Sequence, residues 1–493
     1  MPTRPLSWPV SSKESARRLE NALSSTQLSL LHTVADEAAA RGLPLYIVGG
    51  FVRDLLLGWP GQDFDLVVEG DAIAMAQALT KKVGGRVTVH TRFGTAQWFL
   101  PDSSGHNRQA SGIPGFLDLI SARSETYNRP GALPTVRRGT LADDLRRRDF
   151  TINTLALRLD GKHFGELRDD LAGLDDLEKG LVRVLHPRSF SDDPTRILRA
   201  LRYEQRYGFR IADEDLALIT AAKPLLGGLS GERLRHELDL ILAEEKSAAM
   251  LDRSAGLGIL TEIHPSLAWD ASLRPLFEKL NQPEPDSWRG VPDLARVPRR
   301  VALGYLLWLS DLDAPVIESL VARLDFTASL REALLAFSAL HTELPALADA
   351  KPSVITARLD EVPLLAVCAL SIEYTSIHFS DSESADEPAS IRLSASKPVD
   401  EPASIRLSDS ESVEKSVSIR ESVTESVDNY LSRWRHVKPK TTGHTLRKLG
   451  LSPGPTYQII LRRLKEAWLD GEIHTTEEEK TFLETLCESP TRT

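Results

Sequence analysis

Cysteine, methionine and aromatic residues are scarce in this sequence of 493 residues, which has two cysteines, three methionines and an aromatic fraction of 6%. The cysteines, Cys368 and Cys487, are far apart, which excludes a disulfide framework and a cysteine-rich zinc site. This usage is typical of a reducing cytoplasm, where we expect the protein to be located. The 12 histidines form no HExxH motif or His-Asp doublet, so a fused hydrolase is not indicated.

Long apolar runs are also missing. No stretch reaches the roughly 18 apolar residues that a transmembrane helix needs, so we expect no membrane partner. The first residues lack a continuous apolar segment, so we expect no secretory signal. The hydrophobic fraction of 41% and the charged fraction of 26% are ordinary for a globular protein. A chain of this length predicts about three or four domains.

The formal net charge is −10, which at first argues against nucleic acid as a partner. The charge is unevenly distributed, however, because residues 380–428 hold 12 acidic and 5 basic residues. The remainder is closer to neutral and contains basic stretches. Net charge therefore excludes no class of partner.

Residues 373–428 differ from the rest of the chain in composition. The segment DEPASIRLS occurs twice, at 386–394 and 400–408, in a stretch rich in Ser and Glu with few aromatic residues. Such a composition buries too little apolar surface to offset the entropy of ordering. We therefore predict a disordered insertion rather than a folded repeat.

The strongest local signal is the segment VGGFVRDLLLGWPGQDFDLVV, which reads as strand, Gly-Gly, helix, loop and strand. Asp63 and Asp65 alternate at the start of the second strand and project to the same side. Two adjacent carboxylates repel each other unless they share a cation, and Mg²⁺ is commonly held by such a pair together with substrate phosphates. An ordinary pair of surface aspartates is the alternative.

The Gly-Gly pair of this segment adds to the signal. Gly49 and Gly50 would let the backbone approach a triphosphate closely, and Arg53, about one helical turn on, could meet phosphate.

Two further segments carry charged residues in suggestive patterns. RRDFTIN, residues 147–153, offers a pair of arginines whose forked donors suit phosphate. Its Asp149 could accept a hydrogen bond from a ribose hydroxyl, although a solvated charged face is the default interpretation of RRD alone.

The segment SFSDDPTRILRALRYEQRYGF begins with residues favoured at a helix start. Asp193 and Arg196 are three residues apart, which predicts a shared helical face. A cap with a surface salt bridge is the alternative. The helix continues as a basic stripe that either contacts phosphate or stays solvated, formed by Arg199, Arg202 and Arg206.

Together these three segments resemble the polymerase-β-type nucleotidyltransferases, and more closely the class II tRNA nucleotidyltransferases and bacterial poly(A) polymerases, over about residues 30–265. The resemblance implies two-metal transfer of a nucleotide onto an RNA 3′-hydroxyl with release of pyrophosphate. The metal ligands would be Asp63 and Asp65, with Mg²⁺ as the cofactor. Asp118 is a candidate third catalytic carboxylate, or else a structural partner of Arg123 or Arg147.

The resemblance also assigns roles to the other motif residues. In the family, the RRDFTxNA segment contacts ribose and triphosphate, and the EDxxR segment, here DDPTR, hydrogen-bonds the incoming base as a protein template. An Asp accepts from the exocyclic amine that C and A both carry. The nucleotide-binding residues implied are Gly49, Gly50, Arg53, Arg147, Arg148, Asp149, Asn153, Asp193 and Arg196.

The fold implied is α+β, with a mixed-sheet nucleotidyltransferase head followed by an all-helical neck, body and tail. The predicted divisions are a flexible arm (1–24), the head (25–160), a neck with the template helix (161–245), a helical body (246–372), the insertion (373–428) and an RNA-binding helical tail (429–493). In the family the tail grips tRNA. Basic residues suited to its phosphates, or alternatively solvated, are Lys438, Lys440, Arg447 and Lys448.

The leading hypothesis is therefore a tRNA nucleotidyltransferase that adds C, A or both from CTP and ATP to the tRNA 3′ end. A poly(A) polymerase on the same scaffold is the first alternative. An RNA-binding protein with an inactive transferase domain is the second, although both Asp63 and Asp65 are present. The sequence does not separate CCA addition from addition of only C or only A.

Overall fold

The computed structural model describes residues 11–59, 65–100, 115–127, 129, 131, 134–383 and 408–488. The chain divides into two compact units. The N-terminal unit comprises residues 1–237 and 253–265, and the C-terminal unit comprises 238–252 and 266–493. Within the described ranges, no helix combines the length and the apolarity that crossing a bilayer requires.

The N-terminal unit contains a mixed sheet whose seven described strands follow the order β3-β4-β5-β2-β1-β8-β9. Strands β2 and β5 pair in parallel, whereas the other neighbours are antiparallel. The strands are β1 (Leu45–Val48), β2 (Asp65–Val68), β3 (Arg86–His90), β4 (Thr95–Phe99), β5 (Phe116–Ser121), β8 (Ala156–Arg158) and β9 (Glu166–Arg168). The predicted mixed sheet is confirmed, and it extends past the predicted boundary at residue 160.

Two shorter pairings accompany this sheet. The antiparallel hairpin β6 (Arg123–Thr126) and β7 (Thr135–Arg138) lies in a stretch whose sequence has no regular periodicity, and β10 (Leu181–Val182) pairs in parallel with β11 (Arg210–Ile211). The helices that lie within this unit are α1 (Ser12–Ala22), α2 (Ser25–Ala40), α3 (Gly50–Leu57), α4 (Ala72–Val83), α5 (Leu141–Arg146), α6 (Gly173–Lys179), α7 (Ser189–Asp192), α8 (Thr195–Tyr207), α9 (Asp213–Ala222) and α12 (Leu260–Ile263).

The predicted flexible arm differs from the structure in its second half, which is helix α1. The Ser11 side chain accepts a hydrogen bond from the Glu14 amide and so caps the helix, and Leu19 is fully buried. Capping and burial of one apolar side chain thus order a segment whose sequence is mostly polar. Residues 1–10 lie outside the described ranges.

The C-terminal unit is helical in its described part. Helices α10 (Gly231–Leu242) and α11 (Ser247–Gly256) contribute residues to both units. The remaining helices are α13 (Arg274–Lys279), α14 (Arg299–Trp308), α15 (Ala314–Leu324), α16 (Ala328–Glu343), α17 (Pro352–Asp360), α18 (Leu364–Glu383), α19 (Ser408–Ser432), α20 (Gly443–Lys448), α21 (Pro455–Leu469) and α22 (Thr476–Glu488).

The predicted insertion at 373–428 is also partly helical. It contains the end of α18 and most of α19, which pack against each other. Val423, Val427 and Tyr430 are buried on one face of α19, and their spacing of four and three residues explains why this part is ordered. Residues 384–407, which carry almost all of the duplicated sequence, lie outside the described ranges.

Candidate active site

A cavity of about 380 Å³ in the N-terminal unit collects most of the charged residues that the sequence motifs single out. It is lined by Asp65, Ile120, Arg123, Glu125, Tyr127, Arg147, Arg148, Asp149, Asp193, Arg196 and Arg199. Five of these described residues are arginines and four are acids. The cavity is therefore polar, and its arginines offer cationic donors while its acids offer acceptors.

The turn between β1 and α3 requires glycine at its first position. Gly49 has a φ of +76°, and a Cβ atom there would lie 2.6 Å from Arg148 Nη1. Only glycine therefore lets this turn and the Arg148 guanidinium lie so close together. Gly50 is less restricted, because its added Cβ would lie 3.4 Å from Arg53 Nη2.

Asp65 and Asp118 lie side by side on the parallel strands β2 and β5. Leu66 is paired with Leu119, so the two aspartates that precede them point to the same face of the sheet. Burial raises the pKa of Asp65; Arg148 lowers it, and the neighbouring carboxylate of Asp118 raises it again. Two acids held together in this way are better accommodated when a cation is shared between them.

Asp63, the other predicted metal ligand, belongs to residues 60–64, which the structure does not describe. In the part of the chain that is described, no group of three or more His, Cys, Asp or Glu side chains is arranged to hold a metal ion. The donors present nevertheless fit a hard divalent cation, because Asp65 and Asp118 offer only carboxylate oxygens from adjacent strands.

Arg147 and Arg148 follow directly after α5, whose start is fixed by a reciprocal cap between Thr140 and Asp143. The fully buried Asp144 orients both arginines. It accepts from Arg147 Nε at 2.9 Å and from Arg148 Nη2 at 3.0 Å. The arginine pair thus shares one carboxylate at the cavity wall, Asp144, which the sequence analysis did not single out.

Asp149 is paired with Arg199, a residue that the sequence left as part of a basic stripe. Arg199 donates to Asp149 Oδ2 from Nε at 2.9 Å and from Nη2 at 2.6 Å. Oδ1 accepts from Asn153 Nδ2 at 2.8 Å and from the Phe150 amide at 2.9 Å. Burial alone would raise the pKa of Asp149, but the charge of Arg199 and these hydrogen bonds hold it well below its usual range.

Arg53 is buried and does not line the cavity, in contrast to its predicted phosphate contact. Its guanidinium donates to Asp54 and to the Asn153 side chain, and it stacks at 5.1 Å from the ring centre of Tyr203 and 4.5 Å from that of Tyr207. Arg53 therefore joins α3 to α8. Burial opposes its charge, but the hydrogen bond to Asp54 keeps its pKa above the ordinary value.

The predicted template residues both line the cavity, but a single helix does not carry them. Asp193 has extended backbone between α7 and α8, because the residue before a proline is disfavoured in helix. Its Oδ1 accepts from Arg233 Nη2 at 2.6 Å and from the hydroxyl of Thr195 at 2.7 Å. Asp193 is therefore fixed by α10 as well as by its own turn.

Arg196 is held by neutral oxygen atoms. It is 5% exposed, and it donates from Nη1 to Ser189 Oγ at 2.5 Å and from Nη2 to the Arg147 carbonyl at 2.8 Å. These bonds connect the template position to the arginine pair. The alternative from the sequence was a surface salt bridge between Asp193 and Arg196. In the structure each side chain instead has its own hydrogen-bond partners.

The hairpin β6–β7 adds two residues that sequence reasoning missed. Glu125 accepts hydrogen bonds from Arg123, Arg147 and Tyr127. Burial raises the pKa of Tyr127 to about 12, and the charge of Glu125 acts in the same direction. The alternation R-S-E-T-Y was the available signal, because it places Arg123, Glu125 and Tyr127 on one side of a strand.

The four predicted RNA-binding residues lie in the C-terminal unit. Lys438 and Lys440 precede α20, and Arg447 and Lys448 form its last turn. All four are exposed. They therefore lie near the two ends of one short helix, with their charged groups accessible to solvent.

Comparisons with known proteins agree with these observations. Residues 45–183 match the family described as "Poly A polymerase head domain", and residues 208–270 match "Probable RNA and SrmB- binding site of polymerase A". The A-adding tRNA nucleotidyltransferase of Geobacter sulfurreducens is 44% identical over 261 residues, which are 52% of this chain and 28% of that protein. The chain thus spans only part of that relative.

In two further comparisons, the match includes a larger share of the related protein. The CC-adding tRNA nucleotidyltransferase of Deinococcus radiodurans is 38% identical over 275 residues, which are 53% of this chain and 67% of that protein. The solved structure of the Thermotoga maritima CCA-adding enzyme complexed with tRNA aligns with 97% of this chain and 98% of its own, with a TM-score of 0.67 and 26% identity.

Proposed function

The chain belongs to the family of tRNA nucleotidyltransferases and poly(A) polymerases, and we propose that it adds A, C or both from ATP and CTP to the 3′ end of tRNA. One observation carries the proposal. A single cavity is lined by an acid at the start of β2, an arginine pair, Asp193 in the turn before α8 and Arg196 in the first turn of that helix. These are the groups needed to hold a metal, a triphosphate and a base.

Each group has a defined task in this proposal. Mg²⁺ held by Asp63 and Asp65, with Asp118 beside them, would supply the charge that activates the RNA 3′-oxygen and neutralises the triphosphate. Arg147 and Arg148 bind the triphosphate oxygens, and Asp144 keeps their guanidinium groups in place. Pyrophosphate leaves with the negative charge that these arginines stabilise.

The base is selected by hydrogen bonds from protein groups. Asp193 accepts from the exocyclic amine of adenine or cytosine, and Arg196 donates to a ring nitrogen or carbonyl of the same base. Uracil and guanine lack an amine at the corresponding edge. Tyr127 lines the cavity beside these two residues and limits the space that the base can occupy. We propose tRNA as the RNA partner, bound through phosphates by the basic residues around α20.

The experiment is a transfer assay with the purified chain and Mg²⁺. Transcripts of one tRNA ending before, within or after the CCA sequence are given ATP and CTP, singly and together. We expect a limited addition of C, A or CCA that stops. Asp65→Asn should reduce the rate at least 100-fold, whereas the matched change Asp213→Asn, at an exposed position on α9, should leave it unchanged.

A poly(A) polymerase is the second candidate, because the matched head family carries that description. Long A tracts on RNA unrelated to tRNA would favour it over the proposal. If no transcript is extended under any nucleotide mixture, the chain is an RNA-binding protein and the proposed activity is wrong.

A further inference from the structure

A second cavity, of about 190 Å³, lies in the C-terminal unit, and no step of the proposed reaction uses it. Two cationic side chains, Lys279 and Arg300, line it together with apolar groups of Trp288, Leu303 and Ile372, and its one acid, Glu284, is already paired with Arg299 at 2.7 Å. A cavity with charged groups on one part of its wall and apolar groups on the rest suits an amphipathic small molecule.

The two cations donate only to neutral oxygen atoms in the described part of the chain. Lys279 Nζ donates to Thr375 Oγ1 at 2.9 Å. Arg300 donates to main-chain carbonyls, among them that of Leu280 at 2.6 Å, and to the side-chain oxygen of Asn281 at 2.8 Å. Burial lowers the pKa of Lys279, with the charge of Asp428 acting in the opposite direction. An anion in the cavity would stabilise both charged groups.

Trp288 supplies apolar surface to the cavity. Its side chain is buried, with 5% exposed, and its Nε1 atom is closed off from solvent, so the residue meets the cavity with its carbon atoms. The turn that carries Trp288 is fixed, because Arg435 Nη2 donates to the carbonyls of Ser287 and Arg289, each at 2.9 Å.

We propose that this cavity binds a small organic anion with an apolar or aromatic body. The anionic group pairs with Lys279, and the body packs against Trp288, Leu303 and Ile372. A carboxylate and a phosphate monoester share this chemistry. The site does not depend on the nucleotide-transfer activity.

Binding is tested on the full chain at about 0.15 M salt, where surface attraction is screened. Benzoate and phenyl phosphate are titrated by calorimetry and followed by ligand-observed NMR, with benzamide as the neutral probe and inorganic phosphate as the anion without a body. We expect 1:1 binding of at least one aromatic anion, and binding at least tenfold weaker for benzamide and inorganic phosphate.

Variants locate the binding. Lys279→Gln should weaken it about tenfold, the equivalent of about 1.4 kcal/mol of binding free energy, and Trp288→Phe, which removes part of the apolar wall, should weaken it by less. Lys279→Arg keeps the charge and should retain binding. Lys480→Gln, at an exposed position on α22, is the matched control and should bind as the unaltered chain does. Equal affinities in all four variants, or no binding of either aromatic anion, would overturn the proposal.

Discussion

Arg199 and Asp149 form a two-pronged ion pair in which Nε and Nη2 donate to the same carboxylate oxygen, at 2.9 Å and 2.6 Å. The other oxygen already accepts two hydrogen bonds. All four lone-pair positions of Asp149 are thus used within the protein. A ribose hydroxyl can reach this carboxylate only by replacing or sharing one of these donors, so Arg199 controls how Asp149 meets a nucleotide.

We therefore predict that Arg199→Gln destabilises the N-terminal unit by about 3 kcal/mol at neutral pH, because it leaves a buried carboxylate without its cation. Arg210→Gln, which removes only an exposed pairing with Asp213 at 3.7 Å, should cost less than about 1 kcal/mol. Urea unfolding of the two variants checks this. Equal losses would mean that the Asp149 pair contributes no more than a surface pair.

The same pair predicts a pH dependence. The pKa of Asp149 in the folded protein is below its value of about 3.9 in an unfolded chain. Its ionised form therefore contributes stability above about pH 4, and that contribution is lost as the pH falls through the folded pKa. In Arg199→Gln burial is no longer opposed by the cation, so the folded pKa should rise and the difference in stability between the variant and the unaltered chain should become smaller as the pH falls. Unfolding measured from pH 7 to pH 4 tests the sign of this shift.

Gly49→Ala should impair nucleotide binding more than its backbone strain accounts for. Gly58 is the matched control, because its φ of +78° is nearly that of Gly49, but an added Cβ there meets nothing within 4 Å. Both alanine variants should lose about 1–2 kcal/mol of stability. Only Gly49→Ala should displace Arg148 and raise the KM for the nucleotide, by about tenfold. Identical KM values would show that Arg148 is not needed for triphosphate binding.

Selectivity among nucleotides should depend on Arg233, although that residue does not line the cavity. Arg233 joins Asp193 to the Gly131 carbonyl, which it reaches at 2.8 Å. We expect Asp193→Asn to lower the preference for ATP or CTP over GTP and UTP by about tenfold in kcat/KM, as removal of one hydrogen bond to a base edge does. Arg233→Gln should lower it in the same direction by less, with kcat for the correct nucleotide largely kept. Unchanged selectivity in Asp193→Asn would contradict the template assignment.

The basic residues around α20 should affect RNA affinity and its salt dependence rather than chemistry. Changing Lys438, Lys440, Arg447 and Lys448 to Gln together should raise the Kd for tRNA. It should also flatten the plot of log K against log salt by about 0.7–0.9 for each phosphate that the protein no longer neutralises. Lys81→Gln with Lys82→Gln, at exposed positions on α4 far from this cluster in sequence, serves as the control. A raised Kd with an unchanged salt slope would argue against phosphate contact.

Much of the head could be predicted from the sequence because its strands alternate or are continuously apolar. Leu45–Val48 and Leu66–Val68 are buried on both faces, which makes each a short apolar run. The hairpin β6–β7 was missed because its strands are polar and separated by Gly and Pro. Helix α19 was missed because serine and glutamate dominate its composition and conceal the spacing of Val423, Val427 and Tyr430.

The candidate site was predictable in its motif residues but not in their supports. Asp144, Glu125 and Arg233 are ordinary charged residues in sequence, and only the fold brings them beside the residues they hold. Arg53 was predicted at the cavity because it lies one turn after Gly49. The helix turns it instead toward Tyr203 and Tyr207, where stacking and burial outweigh exposure to a ligand.

Helix α8 carries Arg196 in its first turn. In its last turns, Tyr203 and Tyr207 pack against the guanidinium of Arg53, which belongs to α3. Consider chimeras made from two relatives with different nucleotide preferences. A crossover at the end of the sheet, near residue 168, would take α3 from one relative and α8 from the other, and so separate two helices that pack against each other. Chimeras joined after Tyr207 keep both ends of α8 with the α3 that they fit. Chimeras joined after Tyr207 should fold and show the nucleotide preference of the relative that supplies the N-terminal part. Chimeras joined near residue 168 should not.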